Sequence, residues 1–93
     1  MERRRETYLV EQYRPGLRAD ELARIANGVR LVVDRLERSG SPIRFVRSTL
    51  VPCDEAILSI VEAVSEAVVR EAYACARSPI ERISTVIDQG GRP

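Results

Sequence analysis

Three charged side chains stand inside otherwise apolar stretches: Glu11 in "LVEQY", Arg47 in "FVRST" and Glu62 in "SIVEA". A carboxylate among apolar neighbours loses hydration, and burial raises its pKa toward neutrality unless a cation pairs with it. A carboxyl group tuned in this way suits a general acid or base, and a nearby guanidinium suits a substrate anion or an oxyanion. Glu11, Glu62 and Arg47 are therefore the candidate catalytic residues, with Glu11 the first choice for proton transfer. The competing reading makes them structural ion pairs or, for Glu62, a solvated strand end. Tyr8, Tyr13, Phe45, Ser59 and Tyr73 are candidate ligand-binding residues, because ring faces and hydroxyls line pockets for small molecules. Their competing role is core or interface, as it is for the hydroxyl of Ser84.

A second cluster lies in "STLVPCDEAILSIV", where Cys53, Asp54 and Glu55 follow Pro52 between two apolar runs. Such a trio is either a claw for a metal or the tight end of a hairpin. Proline and aspartate form turns, and a metal site needs further ligands converging from elsewhere. No pattern in the chain supplies them, so the segment reads as a turn, with Cys53 at its tip and Asp54 capping the reversal; no metal ligand is assigned. Cys53 and Cys75 have neither CxxC nor metal-ligand spacing, and reduced thiols follow. Cys75 reads as a small buried hydrophobe without an activating neighbour.

Composition excludes several chemistries. All 15 basic residues are arginine, and the chain has no lysine, histidine or tryptophan. A Schiff-base lysine, an imidazole base and a Ser-His-Asp or Cys-His site are therefore absent from the chain. Net charge is +1 with both signs interspersed, which offers no field for nucleic acid or a membrane surface. The basic run Arg3 to Arg5 is flanked by Glu2 and Glu6 and reads as a solvated terminus. No apolar stretch matches a signal peptide or a membrane span, so a cytoplasmic location is expected. Ninety-three residues correspond to one domain, 1–93, with an ordered core expected over 6–88. A chain this short buries only roughly 60–65% of the surface that its unfolded form exposes, which favours a second copy completing the core.

The elements that must position these residues follow from pattern. "ETYLVEQY", Glu6 to Tyr13, is rich in β-branched and aromatic residues and predicts a strand, broken by "RPG". Leu22, Ile25, Ala26, Val29, Val32, Val33 and Leu36 recur at helical spacing and predict a helix from about Ala19 to Arg38. Asp20 and Glu21 sit at its positive end and "SGSP" stops it. Gly28 inside that helix costs about 1 kcal/mol relative to alanine, so it marks either close packing or plain tolerance. "IRFVRSTLV" (Ile43 to Val51) and "AILSIVEAV" (Ala56 to Val64) predict two strands. Ser65 is a good N-cap for a second helix, "EAVVREAYACAR", with a stripe of Val68, Ala72 and Cys75 or Ala76. Ser78-Pro79 ends it, and "IERISTVID", Ile80 to Asp88, predicts the last strand.

The order β-α-β-β-α-β is that of a ferredoxin-like α+β sandwich with both helices on one face of the sheet. A sheet solvated on its other face should alternate apolar and polar residues cleanly. The third and fourth strands carry apolar residues on both sides, so a second subunit is expected over the open face, giving a homodimeric α+β barrel. With an even hairpin loop, Phe45, Arg47 and Thr49 share a face with Leu58, Ile60 and Glu62; an odd loop sets Arg44 against Glu62 instead. An RNA-recognition role is excluded by the lack of aromatic residues on the third strand and of a basic surface. The first loop, "YRPGLR", lacks the CxxC of a metallochaperone.

The order and spacing of "YLVEQYRPG", "DELARIANGVR", "VRSTLVPCDEAI" and "VREAYACARSPIERI" resemble a family of small actinobacterial domains of ferredoxin-like fold. Members are described as nickel-binding or nickel-responsive, and most are of unknown function. The resemblance spans nearly the whole chain and implies this fold, dimerisation and a nickel ion as possible ligand. Nickel sites favour imidazole, and this chain has none, so the scaffold transfers and no ligand set does. The expected function is a small dimeric barrel that binds a small, largely apolar organic molecule between sheet and helices. It is read as a cofactor-free enzyme of cyclase, isomerase or monooxygenase type, by fold analogy. The alternatives are a metal-responsive protein and a non-catalytic ligand-binding or dimerisation module.

Overall fold

The computed structural model describes residues 4–87. Arg3 of the basic run and Asp88 of the expected last strand lie outside them. The elements are β1 (Glu6–Tyr13), α1 (Ala19–Arg38), β2 (Ile43–Val51), β3 (Ala56–Ala63), α2 (Glu66–Cys75) and β4 (Arg82–Val86). The four strands form one antiparallel sheet in the order β2-β3-β1-β4, the expected ferredoxin-like arrangement, with β1 central. No helix among the described residues is long and apolar enough to cross a membrane.

The inner face of the sheet carries Tyr8 and Val10 from β1, Ile43 from β2, and Ile57, Val61 and Ala63 from β3, all buried. Leu22, Ala26, Val29 and Val33 of α1 and Val69, Ala72 and Tyr73 of α2 close over them. Burying each large aliphatic side chain contributes roughly 1.5–3 kcal/mol. The α2 stripe is rotated from the expected one. Val69 and Tyr73 face the core, Val68 and Ala76 are half-buried, and Cys75 is exposed rather than buried. Helical spacing allows one inward stripe, and the large Tyr73 takes it, which turns Cys75 two residues on away from the sheet. Gly28 is exposed, and nothing stands within 4 Å of where its Cβ would lie, so tolerance rather than close packing keeps it.

Both helices end in the same cap. After α1, the amide of Gly40 bonds the carbonyl of Glu37 and that of Ser41 bonds Leu36. After α2, the amide of Arg77 bonds Ala74 and that of Ser78 bonds Tyr73. The pivot residue of this Schellman motif must take positive φ, which is 96° at Gly40 and 54° at Arg77. Glycine adopts it freely, whereas a side chain there costs about 1 kcal/mol.

The β2–β3 hairpin reconciles the two registers that the sequence leaves open. Arg44 faces Glu62 and Phe45 faces Val61, but the ladder then slips so that Arg47 faces Ile60 and Thr49 faces Leu58. Val46 is the extra residue of this β-bulge. The bulge moves Arg44, Arg47 and Thr49 all to the outer face with Leu58, Ile60 and Glu62, and leaves Phe45 on the inner one. The turn itself is a short 3-10 segment, Pro52–Asp54, followed by Glu55 at φ 51°.

Candidate functional site

The sheet separates the expected site residues into two groups. Glu11, Glu62 and Arg47 lie on the outer face, away from both helices, as register dictates. They do not converge. Glu11 faces Leu58 and Glu62 lies four residues further along β3, roughly 13 Å away at strand rise. Arg47 stands on the edge strand, with β3 between it and Glu11. Glu11 instead meets Arg82 of β4, with Nε 3.7 Å from Oε2, and accepts a 2.7 Å hydrogen bond from the Tyr13 phenol. That bond raises the Tyr13 pKa above its usual value. Glu62 meets Arg44 at 3.8 Å, and Arg47 has no ion-pair partner among the described residues. One catalytic constellation of Glu11, Glu62 and Arg47 is therefore replaced by two separate Arg–Glu pairs.

Of the ligand-binding candidates, Tyr13 is exposed on the outer face and cannot reach a site between sheet and helices. Tyr8 is buried in the core, where desolvation and then Glu6 raise its pKa. Phe45 packs half-buried against the same core. Ser59 and Tyr73 are buried together under α2. Burial pushes the Tyr73 phenol up to about 12, partly offset by the Ser59 hydroxyl beside it. The phenol oxygen nonetheless makes no hydrogen bond.

Tyr73 also lines an open groove of about 350 Å³ between the end of α2 and the segment leading into β4. Ala74, Pro79 and Ile80 supply the other apolar walls, and Arg70, Arg77 and Ser78 the polar ones. The groove's inner wall is anchored from the central strand. Gln12, fully buried on the inner face, donates from Nε2 to Ser78 Oγ at 2.7 Å and to the Pro79 carbonyl at 2.9 Å. Its Oε1 is buried without a partner. The Pro79 carbonyl accepts a second bond, 2.7 Å, from Arg14. Neither Gln12 nor the groove arginines emerge from the sequence reading. A signal for Gln12 was present, because it follows Tyr8 and Val10 at the period-two spacing of the buried face. For Arg77 the signal was a side chain at the glycine position of a helix end.

At the hairpin turn, Cys53 and Asp54 are exposed. Glu55 rather than Asp54 ties the reversal, because its Oε2 accepts from the Gly16 amide at 2.7 Å and its carbonyl from the Arg14 amide at 2.8 Å. The Glu55 carboxylate is thus held on a backbone amide, beside two exposed side chains. No group of three or more His, Cys, Asp or Glu able to hold a metal occurs among the described residues. Comparison with family models, curated proteins and solved structures finds no match to this chain.

Proposed function

We propose that the protein binds a small, largely apolar organic molecule in the groove between α2 and the entry to β4. The observation that supports this reading is the groove itself. Its volume of about 350 Å³ lies at the small end of ligand pockets, and its aromatic and aliphatic walls with a few polar groups match their usual make-up. The reading stops at binding, because the lining residues include no carboxylate, thiol or imidazole to move a proton. Ala74 is exposed on α2 and lines the groove, so Ala74→Trp fills it without entering the core. We expect small aromatic molecules to raise the melting temperature of the protein, and Ala74→Trp to weaken them about tenfold or more, a difference of about 1.4 kcal/mol. Binders whose affinity is unchanged in Ala74→Trp would refute the groove as their site.

A second reading concerns the outer face. Leu9, Leu58 and Ile60 form its half-buried centre, and the two ion pairs occupy opposite corners, with arginine on each edge strand and glutamate on each inner one. Such repetition suits the self-complementary patch of a two-fold homodimer. Four strands by seven residues give a face roughly 19 Å by 23 Å, so two of them bury on the order of 1,000 Å², near the lower bound for a specific interface. A homodimer is expected at micromolar concentration by light scattering, and Leu9→Glu is expected to yield folded monomers. A wild-type monomer under those conditions would sink this reading.

A further inference from the structure

We propose that the occupant of the α2 groove is a small aromatic carboxylic acid, its ring against Tyr73, Pro79 and Ile80 and its carboxylate on the Arg77 guanidinium. The inference rests on the groove being a ligand site and adds the ligand's charge and shape. The lining residues bring two guanidiniums and no carboxylate, and one of the two is free to meet an anion. Arg70 is already committed, since its Nε donates to Glu66 Oε2 at 2.8 Å. Arg77 makes no ion pair or side-chain hydrogen bond among the described residues, which leaves its five donors for a ligand.

The position of Arg77 points the same way. The chain ends α1 with the same cap and places Gly40 at the pivot, where positive φ is free of strain. At the end of α2 it holds an arginine in that conformation instead, and this arginine lines the groove. Side chains held in sparsely populated backbone regions gather at ligand clamps, where surrounding structure enforces them. A planar guanidinium matches a carboxylate through two parallel hydrogen bonds, a geometry that an ammonium lacks. Ser78 adds a further donor, because its Oγ accepts from Gln12 and keeps its own proton. The apolar walls then select a flat hydrocarbon body for the rest of the molecule.

The test uses the full chain, labelled with ¹⁵N, and two probes of one shape: 2-naphthoate and its neutral amide, 2-naphthamide. Naphthoate is expected to shift the amide signals of Ala74, Arg77, Ser78 and Ile80, and to bind about tenfold or more tightly than the amide. Arg77→Asn keeps a residue that tolerates positive φ and removes the guanidinium. It is expected to cost naphthoate that advantage and to leave naphthamide unchanged. If both probes enter the groove with equal affinity, or Arg77→Asn leaves naphthoate binding intact, the acid assignment is overturned while the groove remains a binding site. If neither probe moves the groove signals, both the assignment and the reading beneath it fall.

Discussion

Gln12→Ala is expected to destabilise the fold by about 3 kcal/mol, and Gln12→Leu by only about 1 kcal/mol. The amide is fully buried, and both of its protons are used, on Ser78 Oγ and the Pro79 carbonyl. Alanine removes both bonds and leaves a cavity beside Ile57, its cross-strand neighbour. Leucine refills that volume and also removes Oε1, a buried acceptor with no partner. What leucine cannot replace is the donor to Ser78, whereas the Pro79 carbonyl keeps Arg14. The difference between the two variants therefore isolates the packing term from the polar one. Urea denaturation of the three proteins checks it, and equal midpoints for alanine and leucine would overturn this account of Gln12. Because Ser78 and Pro79 also line the groove, Gln12→Leu should loosen that wall in a protein that still folds, and weaken ligands that rest on it.

The contrast between Gln12 and Glu11 shows what the sequence could and could not convey. Both are polar residues in an apolar strand, and adjacency in sequence puts them on opposite faces. The charged one attracts notice, yet it sits on the outer face with its side chain 15% exposed and a 73% exposed arginine beside it. The neutral one is in the core. Alternation groups Gln12 with Tyr8 and Val10, but which of the two faces meets the helices is set by helix packing over the sheet, a long-range fact. The strands and α1 were legible because their periodicity is strong and turn residues bound them. The last strand is shorter than its pattern, starting at Arg82 rather than Ile80, because Ile80 packs against the core from the connecting segment and lines the groove. The bulge at Val46 had no local signal at all. A β-branched residue fits a regular strand as well as a bulge, and only the demand that Ile43, Phe45 and Leu50 all reach the inner side forces the extra residue.

Stability is expected to fall as pH rises from about 10 to about 12, and Tyr73→Phe is expected to remove most of that fall. The Tyr73 phenol is buried, and desolvation pushes its pKa from 10.0 to about 12. Below pH 10 the folded and unfolded states both hold the proton, so this group leaves stability intact there. Between the two values the unfolded chain ionises while the folded one does not, and the fold loses about 1.4 kcal/mol per pH unit, close to 3 kcal/mol in total. Above the folded value both states are ionised and the loss levels off. Tyr8, chiefly by burial, and Tyr13, chiefly by its hydrogen bond to Glu11, are shifted in the same direction and account for a residual slope in the variant. The absence of lysine keeps this window clear, because arginine stays charged throughout it. Near neutral pH, Tyr73→Phe should change stability by less than about 1 kcal/mol, since the hydroxyl it removes is buried without a hydrogen bond. Denaturant midpoints measured from pH 8 to 12 decide the matter. Parallel profiles for wild type and Tyr73→Phe would mean that the phenol ionises as easily in the folded protein as in the unfolded chain, and that the space under α2 is wet rather than sealed.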